Sequence, residues 1–142
     1  MGNEKTRDAS EIVIPPRSDY ELAECIEQWG WKYHHLGIPT QEKKPDEIYL
    51  SHLKFSVSGF RTSPFGVEWM RFDADCPIHP LIQTVPHLAF EVMDLNYELK
   101  RHKFNLLGKP TLPSDGVRVA MIEHNGAPIE LIEFEKKYII NS

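Results

Sequence analysis

The chain has 142 residues, with 16 Lys and Arg against 21 Asp and Glu, for a formal net charge of −5. That length suits one domain with a sizeable core rather than two, and an acidic chain without a Lys/Arg cluster argues against nucleic-acid or acidic-membrane binding. Hydrophobic residues at 41% and charged residues at 26% exclude global disorder, and no apolar run reaches the roughly 18 residues that a membrane span needs. Cys25 and Cys76 are too few for a disulfide framework and lack C-x-x-C spacing. Met1 to Glu11 is polar throughout and carries no secretory signal. The expected compartment is therefore the reducing cytoplasm.

In chain order, residues 1–17 read as a flexible tail ending in Pro15-Pro16, and 18–142 as a single domain. Ser18-Asp19-Tyr20-Glu21 matches a capping box, and Leu22, Ile26 and Trp29 follow at helical spacing, which predicts a helix over about 19–29. Trp31 to Pro39 is a strand candidate. Thr40 to Asp46 is polar and too broken for a good helix. Ile48 to Phe60 reads as one long strand or two short ones, Val67 to Phe72 as another strand, and Asp73 to Thr84 as a crossing loop. Val85 to Val92 is a further strand. Asp94 can cap a helix with Leu95 and Leu99 inward. Val117 to Glu123 and Ala127 to Phe134 flank Asn125-Gly126, a hairpin signal.

Two pairs of segments repeat in the same order. His35-Leu36-Gly37-Ile38 matches His87-Leu88-Ala89-Phe90, and Val67-Glu68-Trp69-Met70-Arg71-Phe72 matches Ile129-Glu130-Leu131-Ile132-Glu133-Phe134. Strand side chains alternate faces with period two. His35 therefore shares a face with Gly37, and His87 with Ala89, so a small residue leaves space beside each imidazole. Glu68 shares its face with Met70 and Phe72, and Glu130 with Ile132 and Phe134. A carboxylate among large apolar residues is costly unless paired, protonated or metal-bound. Two imidazoles and two carboxylates on facing strands suit a divalent first-row metal with positions left open. His34, adjacent to His35, is expected on the opposite face. His52, His79, His102 and His124 fit no repeated position and read as surface residues, with His79 a candidate for the pocket rim. Trp29 and Trp31 read as anchors for the N-terminal helix. The Glu133-Glu135-Lys136-Lys137 stretch reads as a solvated end.

The pattern resembles the vicinal oxygen chelate superfamily, which includes glyoxalase I, methylmalonyl-CoA epimerase, extradiol dioxygenases and the fosfomycin- and bleomycin-resistance proteins. Val85-Pro86-His87-Leu88-Ala89-Phe90-Glu91-Val92 and Gly126-Ala127-Pro128-Ile129-Glu130-Leu131 carry most of the resemblance, which spans about residues 31–136. It implies an α+β fold in which two βαβββ-like modules, about 31–73 and 85–136, form a cupped mixed sheet. It also implies metal ligation by His35, Glu68, His87 and Glu130, a set similar to that of bacterial glyoxalase I. The separation of His from Glu is 43 positions in the second module and 33 in the first. The first module therefore has a shortened helix, and the extra N-terminal helix is available to cover the sheet left exposed there. By resemblance the function is a glyoxalase-like isomerase or lyase acting on a small oxygenated substrate. A divalent ion (Ni, Co, Zn, Mn or Fe) would stabilise an enediolate, with Glu130 or Glu68 as the base. The alternatives are a metal-free, resistance-type small-molecule binding protein and an Fe(II) extradiol-type dioxygenase. A homodimer is expected, because paired modules present sheet edges and an apolar rim.

Overall fold

The computed structural model describes residues 14–18 and 22–136. Its order is α1 (Glu24–Glu27), β1 (Lys32–Pro39), β2 (Ile48–Leu50), β3 (Phe55–Ser58), β4 (Val67–Phe72), α2 (Pro80–Thr84), β5 (His87–Glu91), α3 (Leu95–His102), β6 (Asn105–Leu106), β7 (Thr111–Ser114), β8 (Val117–His124) and β9 (Ala127–Phe134). The fold is α+β, a single curled mixed sheet with few helices. Strands run in the order β2-β3-β4-β1-β5-β9-β8-β6, and β7 also pairs with β8.

The two halves of that order are two modules. In each, the last strand returns parallel to the first: β4 beside β1, and β9 beside β5. The modules join through antiparallel β1 and β5, where Gly37 lies opposite His87, Leu36 opposite Leu88, and His35 opposite Ala89. This pairing has a local two-fold relation centred on Leu36 and Leu88, which places the repeated residues symmetrically about the seam. Each Glu pairs with the small residue of its own module, Gly37 with Glu68 and Ala89 with Glu130.

Outside the cup, α3 seals the second module. Asp94 accepts a hydrogen bond from the Tyr97 backbone N–H at 3.0 Å and caps the helix, as its sequence predicts. Glu133 accepts one from the Leu95 N–H at 2.7 Å, so it holds the helix start rather than forming part of a solvated end. Leu95 is fully buried against Phe90, Val92, Ala120, Ile122 and Leu131. The N-terminal helix is shorter than expected. It begins at Glu24 with Ala23 as its cap position, so Ser18 does not cap it, and residues 19–21 lie outside the described residues. Cys25, Ile26 and Trp29 pack against the same core cluster as α3. The helix thus adds to the second module's core and does not cover the first module's sheet. Segment 40–47 takes that place in part, with Lys44 over the Trp69 ring at 5.0 Å and Glu47 paired with Arg71 at 2.7 Å.

Other expectations resolve locally. Ile48 to Phe60 is two strands, and the chain reverses between them at Lys54, which has positive φ. The crossing loop ends in the short helix α2, whose N-terminus is capped by His79 accepting from the Leu81 N–H at 3.0 Å. Asn125 and Gly126, with φ of 51° and 87°, form a two-residue hairpin turn between His124 and Ala127. Among the described residues no helix is long and apolar enough to cross a membrane.

Candidate metal centre

The cup face of the sheet carries His35 on β1, Glu68 on β4, His87 on β5 and Glu130 on β9. His35, His87 and Glu130 are buried and offer ligand atoms that all lie within 4.8 Å of one another. Glu130 Oε1 is 2.9 Å from His87 Nε2 and 3.7 Å from His35 Nε2. Glu68 reaches this trio from one side, with Oε1 3.6 Å from His35 Nε2. The four residues singled out by the repeat therefore meet in one place, three in a compact group and the fourth beside it.

Small residues make this approach possible, in a way that differs from the sequence reading. The space left by Gly37 belongs to the other module's imidazole, not to His35. A Cβ on Gly37 would sit 2.5 Å from His87 Nε2. Ala89, the matching residue, lies opposite His35 and is fully buried.

His34 is the residue that alternation misplaces. The pairing of β1 with β5 shifts between Tyr33 and His35, leaving His34 as a bulged residue. It therefore turns into the cup beside His35 instead of away from it. Its ring stacks on Phe60 at 4.8 Å, and its Nδ1 lies 2.8 Å from His35 Nδ1. One proton must lie between these two nitrogens. For His35 to present a lone pair at Nε2, its Nδ1 carries that proton and donates to His34. Two adjacent His before a small residue are the only sequence sign of this arrangement, and a bulge cannot be read from it.

Burial sets the protonation of the group. It lowers His35 to about 4, against a weaker opposing pull from Glu130, so the ring is neutral and ligand-ready at neutral pH. His34 is lowered as well, again chiefly by burial. Burial and the neighbouring Glu130 raise Glu68 to about 7. For Glu130 burial pushes upward, but the imidazoles of His87, His35 and His34 outweigh it, and the carboxyl is held below its usual value.

The donor set fits a divalent metal. His35 Nε2 and His87 Nε2 are buried without a well-aligned hydrogen bond, although Glu130 lies against both. Buried polar atoms that converge without satisfying one another need a further partner. Two imidazole nitrogens with one or two carboxylates suit a first-row ion.

Above the floor lies a cavity of about 360 Å³. His34, Glu68 and Glu130 face it, while His35 and His87 lie behind the surface, 3% and 1% exposed. Its walls are apolar, from residues such as Val57, Met70, Phe72, Val119, Ile132 and Phe134. His52, exposed on the β2–β3 turn, bonds to the Leu112 carbonyl on β7 at 2.8 Å, which links opposite ends of the curled sheet. The other histidines stand apart from the centre. His102 is no plain surface residue, since its ring lies tilted against Trp29 with centroids 3.9 Å apart and pairs with Glu98 at 3.2 Å. His79 caps α2 and does not line the cavity, and His124 is exposed at the hairpin. Cys76 donates to the Leu53 carbonyl, and burial raises its thiol, which leaves it a poor nucleophile.

A cupped sheet of two parallel-closing modules, with a His/Glu cluster on its concave face, is consistent with the vicinal oxygen chelate fold. Similar solved structures agree. A hypothetical protein of Bacillus halodurans superposes with a TM-score of 0.58 at 17% identity, covering 74% of this chain and 95% of that one. Methylmalonyl-CoA epimerase from Mycobacterium tuberculosis superposes with a TM-score of 0.54 at 18% identity, covering 77% of this chain and 91% of that one. No protein-family model matches the sequence, and no curated protein matches it.

Proposed function

We propose that this protein is a metal-dependent isomerase or lyase that moves a proton at a carbon next to a carbonyl of a small oxygenated substrate. The observation that carries this reading is the convergence of His35, His87 and Glu130 at the floor of an apolar cup, with Glu68 beside them. The fold shared with an epimerase supports it. His35, Glu68, His87 and Glu130 are the proposed ligands of one divalent ion: Ni, Co, Zn, Mn or Fe. Such an ion, when bound, supplies Lewis acidity to a substrate carbonyl or hydroxyl oxygen.

The residues divide the remaining work. Glu68 faces the cavity at the edge of the buried trio, where its carboxylate can take a proton from a bound substrate and return it. Glu130 occupies the matching position in the second module and is the other candidate for that transfer. Its lowered value suits it better to holding the ion. His87 and His35 are the imidazole ligands, and His34 fixes which nitrogen His35 presents. The proposed assembly is a homodimer in the cytoplasm.

A second reading follows from the compact trio. Two His and one carboxylate, with Glu68 outside the ligand set, would suit Fe(II) oxygen chemistry.

The test is solvent deuterium exchange at the C–H next to the carbonyl of a neutral α-hydroxyketone, followed by NMR. Metal-loaded protein should catalyse the exchange. Glu68→Gln should slow it by about a hundred- to ten-thousand-fold while keeping most of its metal. His35→Ala should lose metal first and exchange only as a consequence. Exchange equal in Glu68→Gln and wild type would remove Glu68 from the proton transfer. No exchange with metal bound would favour the dioxygenase or binding-protein alternatives.

A further inference from the structure

The charge of the cup is concentrated at its floor. The ionisable side chains lining it are His34, Glu68 and Glu130, and no lysine or arginine lines it among the described residues. From the floor outward the wall is apolar, built on β3, β4, β8 and β9, with Thr111 and Ser114 of β7 as its hydroxyl groups. Nothing in that wall can neutralise a negative charge. A carboxylate or phosphate on the body of a ligand would lose its water there without gaining a partner.

From this we infer that the cup selects an uncharged ligand: an apolar body in the wall, with its oxygen-bearing end on the floor between Glu68 and Glu130. A cavity of about 360 Å³ lies at the small end of ligand sites, which fits a body on the order of ten non-hydrogen atoms. Small dicarboxylates and sugar phosphates, which would carry their charge into the wall, are thereby poor ligands. The proposed metal chemistry sets only which end of the ligand meets the floor. The charge preference belongs to the wall and should survive removal of metal.

The experiment compares two isosteric probes, the 4-nitro and 4-carboxylate derivatives of 2-hydroxyacetophenone. They share the same chelating end and nearly the same size, and they differ in charge at the distal end. Binding to the full chain is measured by ligand-observed NMR and calorimetry, with the ion loaded and after chelator treatment, and with metal content determined on the same samples. The nitro probe should bind at least about tenfold tighter than the carboxylate in both forms. Equal or tighter binding of the carboxylate would overturn the inference, as would failure of the nitro probe to bind below about 10 mM in either form. A chain that takes up no metal yet keeps the nitro preference would sink the metal-dependent reading and leave this one standing. Metal uptake without the preference would do the reverse.

Discussion

At the scale of the residue, the site is a set of neighbours tolerated because small residues stand where side chains would collide. Gly37 gives the His87 ring its place, and Ala89 lies opposite His35. The consequence most open to measurement is at Glu68. Its carboxyl ionises at about 7 in the fold and near 4.5 in an unfolded chain, because burial and Glu130 disfavour the charge. Between those values the folded state holds a proton that the unfolded chain has released, so this group's contribution to stability falls as pH rises from about 4.5 to 7. His35, lowered to about 4 from 6.5, works in the opposite direction, but it does so equally in a variant that keeps it. In chelator-treated protein, the stability of Glu68→Gln relative to wild type should therefore climb across that window, by on the order of 2 kcal/mol, and level off above it. Thermal melts from pH 4.5 to 8 measure this directly, and a difference independent of pH would mean that Glu68 is not held in a charge-disfavouring site.

At the scale of the element, one irregularity sets the character of the centre. A regular β1 would send His34 to the outer face, and the bulge sends it into the cup against His35. His34→Phe keeps the stacking on Phe60 and removes the Nδ1 partner. Metal affinity should drop by about ten- to a hundred-fold, as for other losses of a hydrogen bond that orients a ligand. Unchanged affinity in a metal titration of the folded variant would show that the tautomer of His35 is set elsewhere. The same bulge marks a limit of sequence reading. Strand parity and the repeat locate His35, Glu68, His87 and Glu130, because each half sets its His and its Glu at the same offset within its own strand, whatever the length of chain between them. They miss His34, because a bulge breaks parity without changing the residues around it. They also misplace the N-terminal helix. Ile26 and Trp29 mark a buried face, but one helical face cannot say which of the two modules it meets. The His52 link to Leu112 spans 60 positions and has no local signature.

At the scale of the whole molecule, the two modules are unequal on the outside. α3 covers the second, whereas Leu36, Ile38, Trp69 and Leu88 share the outer face across β1, β4 and β5, and Trp69 and Leu88 remain 36% and 42% exposed. An apolar patch of this kind beside the seam is suited to a second copy. Light scattering should give a mass twice the 16.5 kDa of the chain, and Leu88→Glu should shift it toward the monomer. A wild-type mass that stays at the monomer value at every concentration would leave that face without the proposed partner.

The repeated His and Glu residues are proposed to hold one divalent ion. The measurement that tests it most directly is elemental analysis of protein purified without chelator, together with titration of the chelator-treated chain by Ni, Co, Zn and Mn, and by Fe(II) without oxygen. About one ion per chain is expected, with micromolar or tighter affinity, lost in His87→Ala in a variant that still folds. Wild-type protein that carries no ion and binds none of the five at micromolar concentration would contradict it.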